Sequence, residues 1–132
     1  MSRSRLLLLP MLLLVMAFGR APLVNPPPVA VPSGMTAARV SKAVDAALIG
    51  RGWTLSAEQA DGVDGTLSRS DYSAKIHVSF DTSKVLITYV DSHNLKYEVE
   101  RNGQRMIHSN YMNWMRFLTQ DIGRNLQMMR VS

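Results

Sequence analysis

The sequence predicts a small α+β domain of two layers, in which two amphipathic helices cover one face of an antiparallel sheet in the order α-β-β-β-β-α. Apolar residues recur at three- and four-residue spacing over residues 36–50 and 109–129, which is typical of a helix with one buried stripe. Between these segments, apolar and polar residues alternate over 72–80, the period of a half-buried strand. Two apolar stripes and a one-sided sheet are buried together when both helices pack on the same face.

The chain begins with the pattern of a secretory signal peptide. Arg3 and Arg5 precede the apolar run 6–18, and small residues occupy positions −3 and −1 of a cleavage site after Gly19. A helix of this length covers about 20 Å, whereas the hydrocarbon core of a membrane is about 30 Å thick. We therefore predict that residues 1–19 direct export and are removed. The alternative is an uncleaved anchor in the inner membrane through the apolar run.

Residues 20–34 are predicted to be a proline-rich tether, followed by a single domain at 35–132. The segment holds five of the six prolines, and it favours an extended, polyproline-like conformation because proline excludes helices and central strands. In the polyproline conformation, the fourteen residues 21–34 would span up to about 43 Å. A disordered tail without a role is the alternative interpretation.

Composition limits the range of partners. Without the signal, 113 residues remain, with thirteen basic and ten acidic side chains and a net charge of +3 in place of +5. The basic residues are scattered singly, which indicates a solvated surface, so we expect no nucleic-acid partner. The chain has no cysteine, and an exported protein without disulfides depends on core packing alone.

The helices carry recognisable end signals and an aromatic pair. Thr36 is a suitable N-cap for the first helix, and Gly50 marks its end. Tyr111 and Trp114 lie on the apolar stripe of the last helix, where we predict that they belong to the core. The alternative is a ligand platform that these two residues form with Tyr97.

Two turns predict the strand register of the central meander. A loop at 81–84 and a tight turn at 70–71 each place apolar residues on the same face of the sheet, and this agreement supports the register. The predicted pairs on this buried face are Phe80 with Val85, Val78 with Ile87, Ile76 with Tyr89, Leu67 with Ala74 and Val63 with Val78. Asn102-Gly103 predicts a further hairpin with a type I′ turn, which folds 96–101 onto 104–107.

The opposite face of the meander is the candidate binding surface. Its residues combine apolar, hydroxyl and basic side chains, and we call them the open face: Lys75, His77, Leu86, Thr88 and Val90. We expect this face to bind an envelope protein or polymer. An ordinary solvent-exposed sheet face is the alternative.

Three short segments resemble a known family. They are RGW at 51–53, DSHNLKY at 91–97 and IHSNYMNW at 107–114. Together they resemble the small lipoproteins of the Gram-negative cell envelope that carry GW, DSxNLxY and IHxxYxxW segments. The resemblance implies an envelope protein without an established enzymatic activity. The lipid-bearing cysteine of that family is replaced here by Arg20, so acylation is excluded, and we predict a soluble periplasmic protein.

An enzymatic alternative would use Asp91, His93 and His108, as a small periplasmic hydrolase or a metal-dependent enzyme. Asp91, Ser92 and His93 are the residue types of a serine hydrolase, but neighbours along a strand point in alternate directions. The histidines lack the spacing of a helical zinc pair, and no cysteine can complete a ligand set. We therefore expect no catalytic residue, metal site or cofactor, and we expect His108 to bond the free backbone N–H groups at the start of the last helix.

Overall fold

Two helices and eight strands, an α+β arrangement, make up the computed structural model, which describes residues 19–131. The helices are α1 (Ala37–Gly50) and α2 (Ser109–Val131). The strands are β1 (Arg20–Pro22), β2 (Val29–Ala30), β3 (Thr54–Gln59), β4 (Gly62–Ser68), β5 (Ser73–Phe80), β6 (Lys84–His93), β7 (Glu98–Val99) and β8 (Arg105–His108). Apart from Gly19, the predicted signal peptide 1–19 and the alternative anchor 6–18 lie outside the described residues.

The strands form two antiparallel sheets. One has five strands in the order β2-β6-β5-β4-β3, and the other has three strands in the order β1-β8-β7. The predicted α+β class and the antiparallel pairing are confirmed, whereas the expected single sheet of four strands is replaced by these two sheets. No helix in the part of the chain that the structure describes is both long and apolar enough to cross a membrane.

The register of β4, β5 and β6 is the predicted one. The observed partners include Phe80 with Val85, Val78 with Ile87, Ile76 with Tyr89, Leu67 with Ala74 and Val63 with Val78. Asp81 organises the turn between β5 and β6, because its carboxylate accepts the backbone N–H groups of Ser83 (2.7 Å) and Lys84 (2.9 Å). These bonds favour the ionised form and lower the pKa of Asp81 below its usual value.

A β-bulge in β6 interrupts the predicted alternation. Ile76 pairs with Tyr89, but the preceding residue Lys75 pairs with Asp91, so Val90 is an extra residue without a partner on β5. A bulge of this kind shifts all later residues of the strand by one position relative to the sheet faces. The side chain of Asp91 therefore comes to the outer face opposite Lys75, the place that the sequence analysis assigned to Val90.

Both helices pack on the inner face of the five-stranded sheet and share one core with it. Thr36 is the N-cap of α1 as predicted, and its hydroxyl accepts the Arg39 N–H at 3.2 Å. The buried residues of α1 are Val40, Ala43, Val44, Ala47 and Leu48, and those of α2 are Tyr111, Met115, Leu118, Ile122 and Leu126. The side chain of Asn125 joins the two helices by donating to the Ala43 carbonyl at 3.1 Å.

The segment 20–34 is packed on the domain, in contrast to the expected tether. It supplies β1 to the edge of the smaller sheet and β2 to the edge of the larger one. Leu23 and Met35 are only 6% and 5% exposed, and the Asn25 side chain accepts the Tyr89 N–H at 3.0 Å, beside the bulge. Edge strands tolerate proline because one side of their backbone needs no ladder bonds, so the prolines did not exclude pairing.

The hairpin at Asn102-Gly103 forms, but with a different turn from the expected type I′. Gly103 is left-handed at φ +85°, whereas Asn102 is not among the residues with positive φ. Hydrogen bonds from the Glu100 N–H to Gln104 O and from the Gly103 N–H to Glu100 O close a loop of three residues. The Asn102 side chain accepts the Gln104 N–H at 2.9 Å, which favours this longer loop.

Candidate functional site

The open face is exposed on the outer side of the five-stranded sheet. Its side chains are partly exposed on β5 and β6, and Val90, displaced by the bulge, is 47% exposed. His77 bonds Asp64 on β4, with 2.7 Å between His77 Nδ1 and Asp64 Oδ1, and Lys75 Nζ lies 3.8 Å from Asp64 Oδ2. The carboxylate of Asp64, which the sequence analysis did not select, therefore holds the two basic side chains in place.

Gly62 makes room for this arrangement. A Cβ atom at Gly62 would lie 3.0 Å from His77 Cε1 and 3.2 Å from the Val78 carbonyl oxygen, closer than a methyl group tolerates. The imidazole ring thus lies across the glycine and reaches the Asp64 carboxylate on the same strand as Gly62. The open face has an ordered side-chain network, although its charges are largely paired with one another.

The residues of the enzymatic alternative lie in different places. The Asp91 carboxylate accepts the N–H of its neighbour Ser92 at 2.9 Å, and His93 lies opposite Ser73 at the end of β6. His108 belongs to β8 in the other sheet, and its Nδ1 accepts the Asn110 N–H at 3.0 Å, as expected for a residue at the start of α2. Within residues 19–131, no group of three His, Cys, Asp or Glu side chains could hold a metal ion.

A pocket that the sequence analysis did not predict lies beside the end of α1. Its volume is about 230 Å³, and two arginines, four aromatic rings and one leucine line it. We call it the arginine–aromatic pocket, and its lining residues are Arg51, Trp53, Leu67, Arg69, Tyr72, Trp114 and Phe117. The lining holds no serine, threonine, cysteine, histidine, lysine or carboxylate side chain, so the arrangement suits binding better than proton transfer or nucleophilic attack.

The end of α1 delivers two of these residues to the pocket. The N–H groups of Arg51 and Trp53 both donate to the Leu48 carbonyl, at 3.1 and 3.0 Å, and this closes the helix. Gly52 between them is left-handed at φ +86°, and a Cβ at this position would lie 3.1 Å from Arg69 Nη2. Glycine is therefore favoured here by the backbone conformation, and it also leaves room for the guanidinium of Arg69 in its present position.

Electrostatics give the pocket an excess of positive charge. Arg51 donates to both carboxylate oxygens of Asp121, at 2.7 and 3.2 Å, and its guanidinium lies 4.9 Å from the ring centroid of Phe117. The bond to Asp121 raises the pKa of Arg51, and the same bond lowers the pKa of Asp121. Arg124 shares that carboxylate, so Asp121 is already committed to two cations.

The second lining arginine has no such partner. Arg69 Nη1 donates to the Ser68 carbonyl at 3.2 Å, and among the described residues no carboxylate lies within ion-pair distance of its guanidinium. Arg116 adds a further guanidinium outside the lining, 6.0 Å from the Phe117 ring centroid. The pocket and its rim thus favour an anion over a cation or a neutral polar ligand.

One wall of the pocket is held by a stack of rings. Tyr72 and Trp114 stack with 5.6 Å between ring centroids and 19° between ring planes. Trp114 in turn makes an edge contact at 6.4 Å with Tyr111, which is buried in the core as predicted. Trp53 is almost completely buried, so the wall is fixed by core packing on both sides.

Comparison with protein-family models, with curated proteins and with solved structures finds no match to this chain. The resemblance to the small envelope lipoproteins therefore stays a prediction from three motifs. Two of these motifs supply three lining residues of the arginine–aromatic pocket, namely Arg51 and Trp53 from the first motif and Trp114 from the third. The sequence could have indicated the pocket only if it had shown that these two motifs lie close together in space.

Proposed function

We propose that this chain is an exported, non-enzymatic protein of the cell envelope that binds a protein or polymer of the envelope through the open face. The observation that carries the proposal is the exposure of this sheet face beside a core that lies entirely on the other side. Export is supported by the signal-like N-terminus, and an envelope role by the resemblance of three segments.

The side chains of the open face suit an interface. Protein interfaces taken as a whole are about as apolar as the remaining surface, so a mixed face of this kind needs no large apolar patch. The contacts of Asp64 with His77 and Lys75 restrain these two side chains before any partner arrives. Because ordering such side chains costs free energy on association, this restraint favours binding. Leu86 and the displaced Val90 supply apolar contact area beside them.

Site-specific photo-crosslinking in the producing cell tests this proposal. A photoreactive residue at Thr88, in the middle of the open face, should give a discrete adduct, whereas the same residue at the exposed helix position Gln127 should not. Combined substitution Lys75→Ala, His77→Ala and Leu86→Ala should remove the adduct from Thr88.

A thermal unfolding curve of the triple variant provides the folding control. Retention of the adduct in a folded triple variant, or equal adducts from both positions, would show that the open face does not bind the partner.

Cell fractionation with intact-mass measurement tests the proposed location. We expect a periplasmic species that begins at Arg20, the first residue of β1. A full-length species in the inner membrane would instead support an anchor through 6–18. Because 20–34 is packed on the domain, such an anchor would hold the domain close to the membrane without a spacer.

A further inference from the structure

We propose that the arginine–aromatic pocket binds a small monocarboxylate that carries a planar apolar ring. This is a second site for a second class of ligand, because the pocket shares no residue with the open face. Four observations carry the proposal: the volume of the pocket, its charge, the rings of its wall, and the way in which its arginines are held.

The volume sets the size of the ligand. A cavity of about 150 Å³ is sufficient for benzene, and pockets for larger organic ligands span roughly 300–1,000 Å³. At about 230 Å³, the pocket has room for one six-membered ring with a carboxylate group.

The charge sets the sign and the number of charges on the ligand. Arg51 and Arg69 line the pocket, and Asp121, which also pairs with Arg124, neutralises only part of the charge of Arg51. The guanidinium of Arg69 has no carboxylate partner among the described residues, and its unpaired charge matches a monoanion. A guanidinium presents two parallel N–H donors to a carboxylate, which makes Arg69 the residue that recognises the charged group.

The rings set the shape of the remainder of the ligand. Tyr72 and Trp114 are stacked, and together with Leu67 they offer apolar surface beside the guanidinium of Arg69. Planar rings are favoured in such a place because they stack on aromatic side chains.

One of the two lining arginines is held firmly before any ligand binds. Asp121 and the Phe117 ring hold Arg51, whereas the exposed Arg69 donates from Nη1 to the Ser68 carbonyl at 3.2 Å. A site whose groups are already in place loses less conformational entropy on binding.

The chain offers a direct spectroscopic readout. It contains two tryptophans, Trp53 and Trp114, and both line the pocket. In a ¹⁵N-labelled sample of the purified protein, the two indole N–H cross-peaks therefore both report on this site. Benzoate is the probe, with acetate as the matched probe without a ring and benzyl alcohol as the matched probe without a charge.

We expect benzoate to shift both indole cross-peaks saturably, with an affinity about tenfold or more above those of acetate and benzyl alcohol. Arg69→Gln should weaken benzoate binding about tenfold and leave benzyl alcohol unchanged, because a hydrogen bond between charged groups is lost. The matched control Arg101→Gln, in the exposed β7–β8 loop, should bind benzoate like the unaltered protein.

The salt dependence in the unaltered protein gives a second test that needs no variant. Benzoate affinity should fall as KCl is raised, since the attraction between exposed charges is screened. Linear, unsaturable shifts, equal affinities for benzoate and benzyl alcohol, or full benzoate affinity in a folded Arg69→Gln variant would each overturn the proposal.

Discussion

The substitution Gly65→Ala is expected to destabilise the domain, although a methyl group is the smallest side chain that can be added. Gly65 lies on the inner face of β4, opposite Ile76. A Cβ atom there would lie 3.2 Å from Leu48 Cδ2, 3.5 Å from Trp53 Cε3 and 3.6 Å from Ile76 Cγ1. Leu48 and Trp53 are 0% and 4% exposed, so neither side chain can move outward to make room.

The magnitude follows from two opposing effects. Overpacking a close-packed core costs about 1–3 kcal/mol. Replacing glycine by alanine returns about 0.4–1 kcal/mol, because the unfolded chain loses conformational freedom. The free energy of unfolding of Gly65→Ala should therefore fall by about 1–2 kcal/mol, measured by urea unfolding with circular dichroism at 222 nm.

Gly50→Ala is the matched control. Gly50 is the last residue of α1, its φ is not positive, and a Cβ there would meet no other atom within 4 Å. Alanine is favoured over glycine in a helix by up to about 1 kcal/mol, so this variant should be as stable as the original chain or more stable. A Gly65→Ala variant that matched this behaviour would refute the packing argument.

A double-mutant cycle identifies the contact responsible. Leu48→Ala alone should cost about 2–5 kcal/mol, the usual range for a buried leucine. In that background Gly65→Ala should cost less than in the unaltered chain, because the atom nearest to the new methyl group is gone. Costs that add within about 0.5 kcal/mol would show that Leu48 is not the cause.

Three further predictions concern other parts of the fold. Leu23→Ala should lower the free energy of unfolding by about 2–4 kcal/mol in urea unfolding, because Leu23 is buried. If residues 20–34 were a free tether, the same substitution would leave the free energy of unfolding unchanged. Asn25→Ala should cost about 1 kcal/mol in the same measurement, since it leaves the Tyr89 N–H without its acceptor, and an unchanged midpoint would contradict this. Burial, followed by the hydrogen bond and charge of Glu58, raises the pKa of Asp45 from 3.8 to about 6. Because folding therefore disfavours the ionised form of Asp45, the free energy of unfolding should fall as pH rises from about 4 to 6. Asp45→Asn should flatten that pH dependence and raise the free energy of unfolding at pH 7 by about 1 kcal/mol. This is less than the roughly 3 kcal/mol that corresponds to the full pKa difference, because water screens a partly exposed carboxyl. An unchanged pH dependence would exclude Asp45 as its source.

The central meander was predictable because two independent patterns agree there. Strict alternation defines the buried face of β5, and the two flanking turns each extend that face to a neighbouring strand. The bulge at Val90 was not predictable in the same way, because Tyr89 and Val90 are both compatible with a strand interior. Its position is determined by contacts distant in sequence, such as the bond from the Tyr89 N–H to Asn25.

The segment 20–34 shows the limit of composition as a guide. Proline excludes helices and central strands, but it leaves edge strands open, and two sheets here needed edges. The apolar residues that anchor the segment, Leu23, Val29 and Val31, are few and separated by prolines and polar residues, so they give no extended periodic pattern. Single apolar residues become informative only when the surface that they cover is known.

The arginine–aromatic pocket was missed for a related reason. Its lining residues come from the end of α1, from β4, from the turn after β4 and from α2, so no window of the sequence contains the site. The resemblance selected Arg51 and Trp53 in one motif and Trp114 in another. It did not select Arg69, which lies in none of the three motifs and has no ion-pair partner in the described part of the chain.

Substitutions at Trp114 and at Arg69 separate the shape of the pocket from its charge. A chain of ring contacts, with centroids 5.1–6.4 Å apart, runs from the second motif through β6 to the third motif and ends at the pocket. Its members, in order of contact, are Tyr97, Tyr89, Tyr111, Trp114 and Tyr72. Substitution of Trp114 would break this chain and so change both the stability of the domain and the shape of the pocket. Arg69→Gln would remove charge without breaking any ring contact, so a loss of benzoate affinity in that variant, at unchanged stability, can be ascribed to the charge alone.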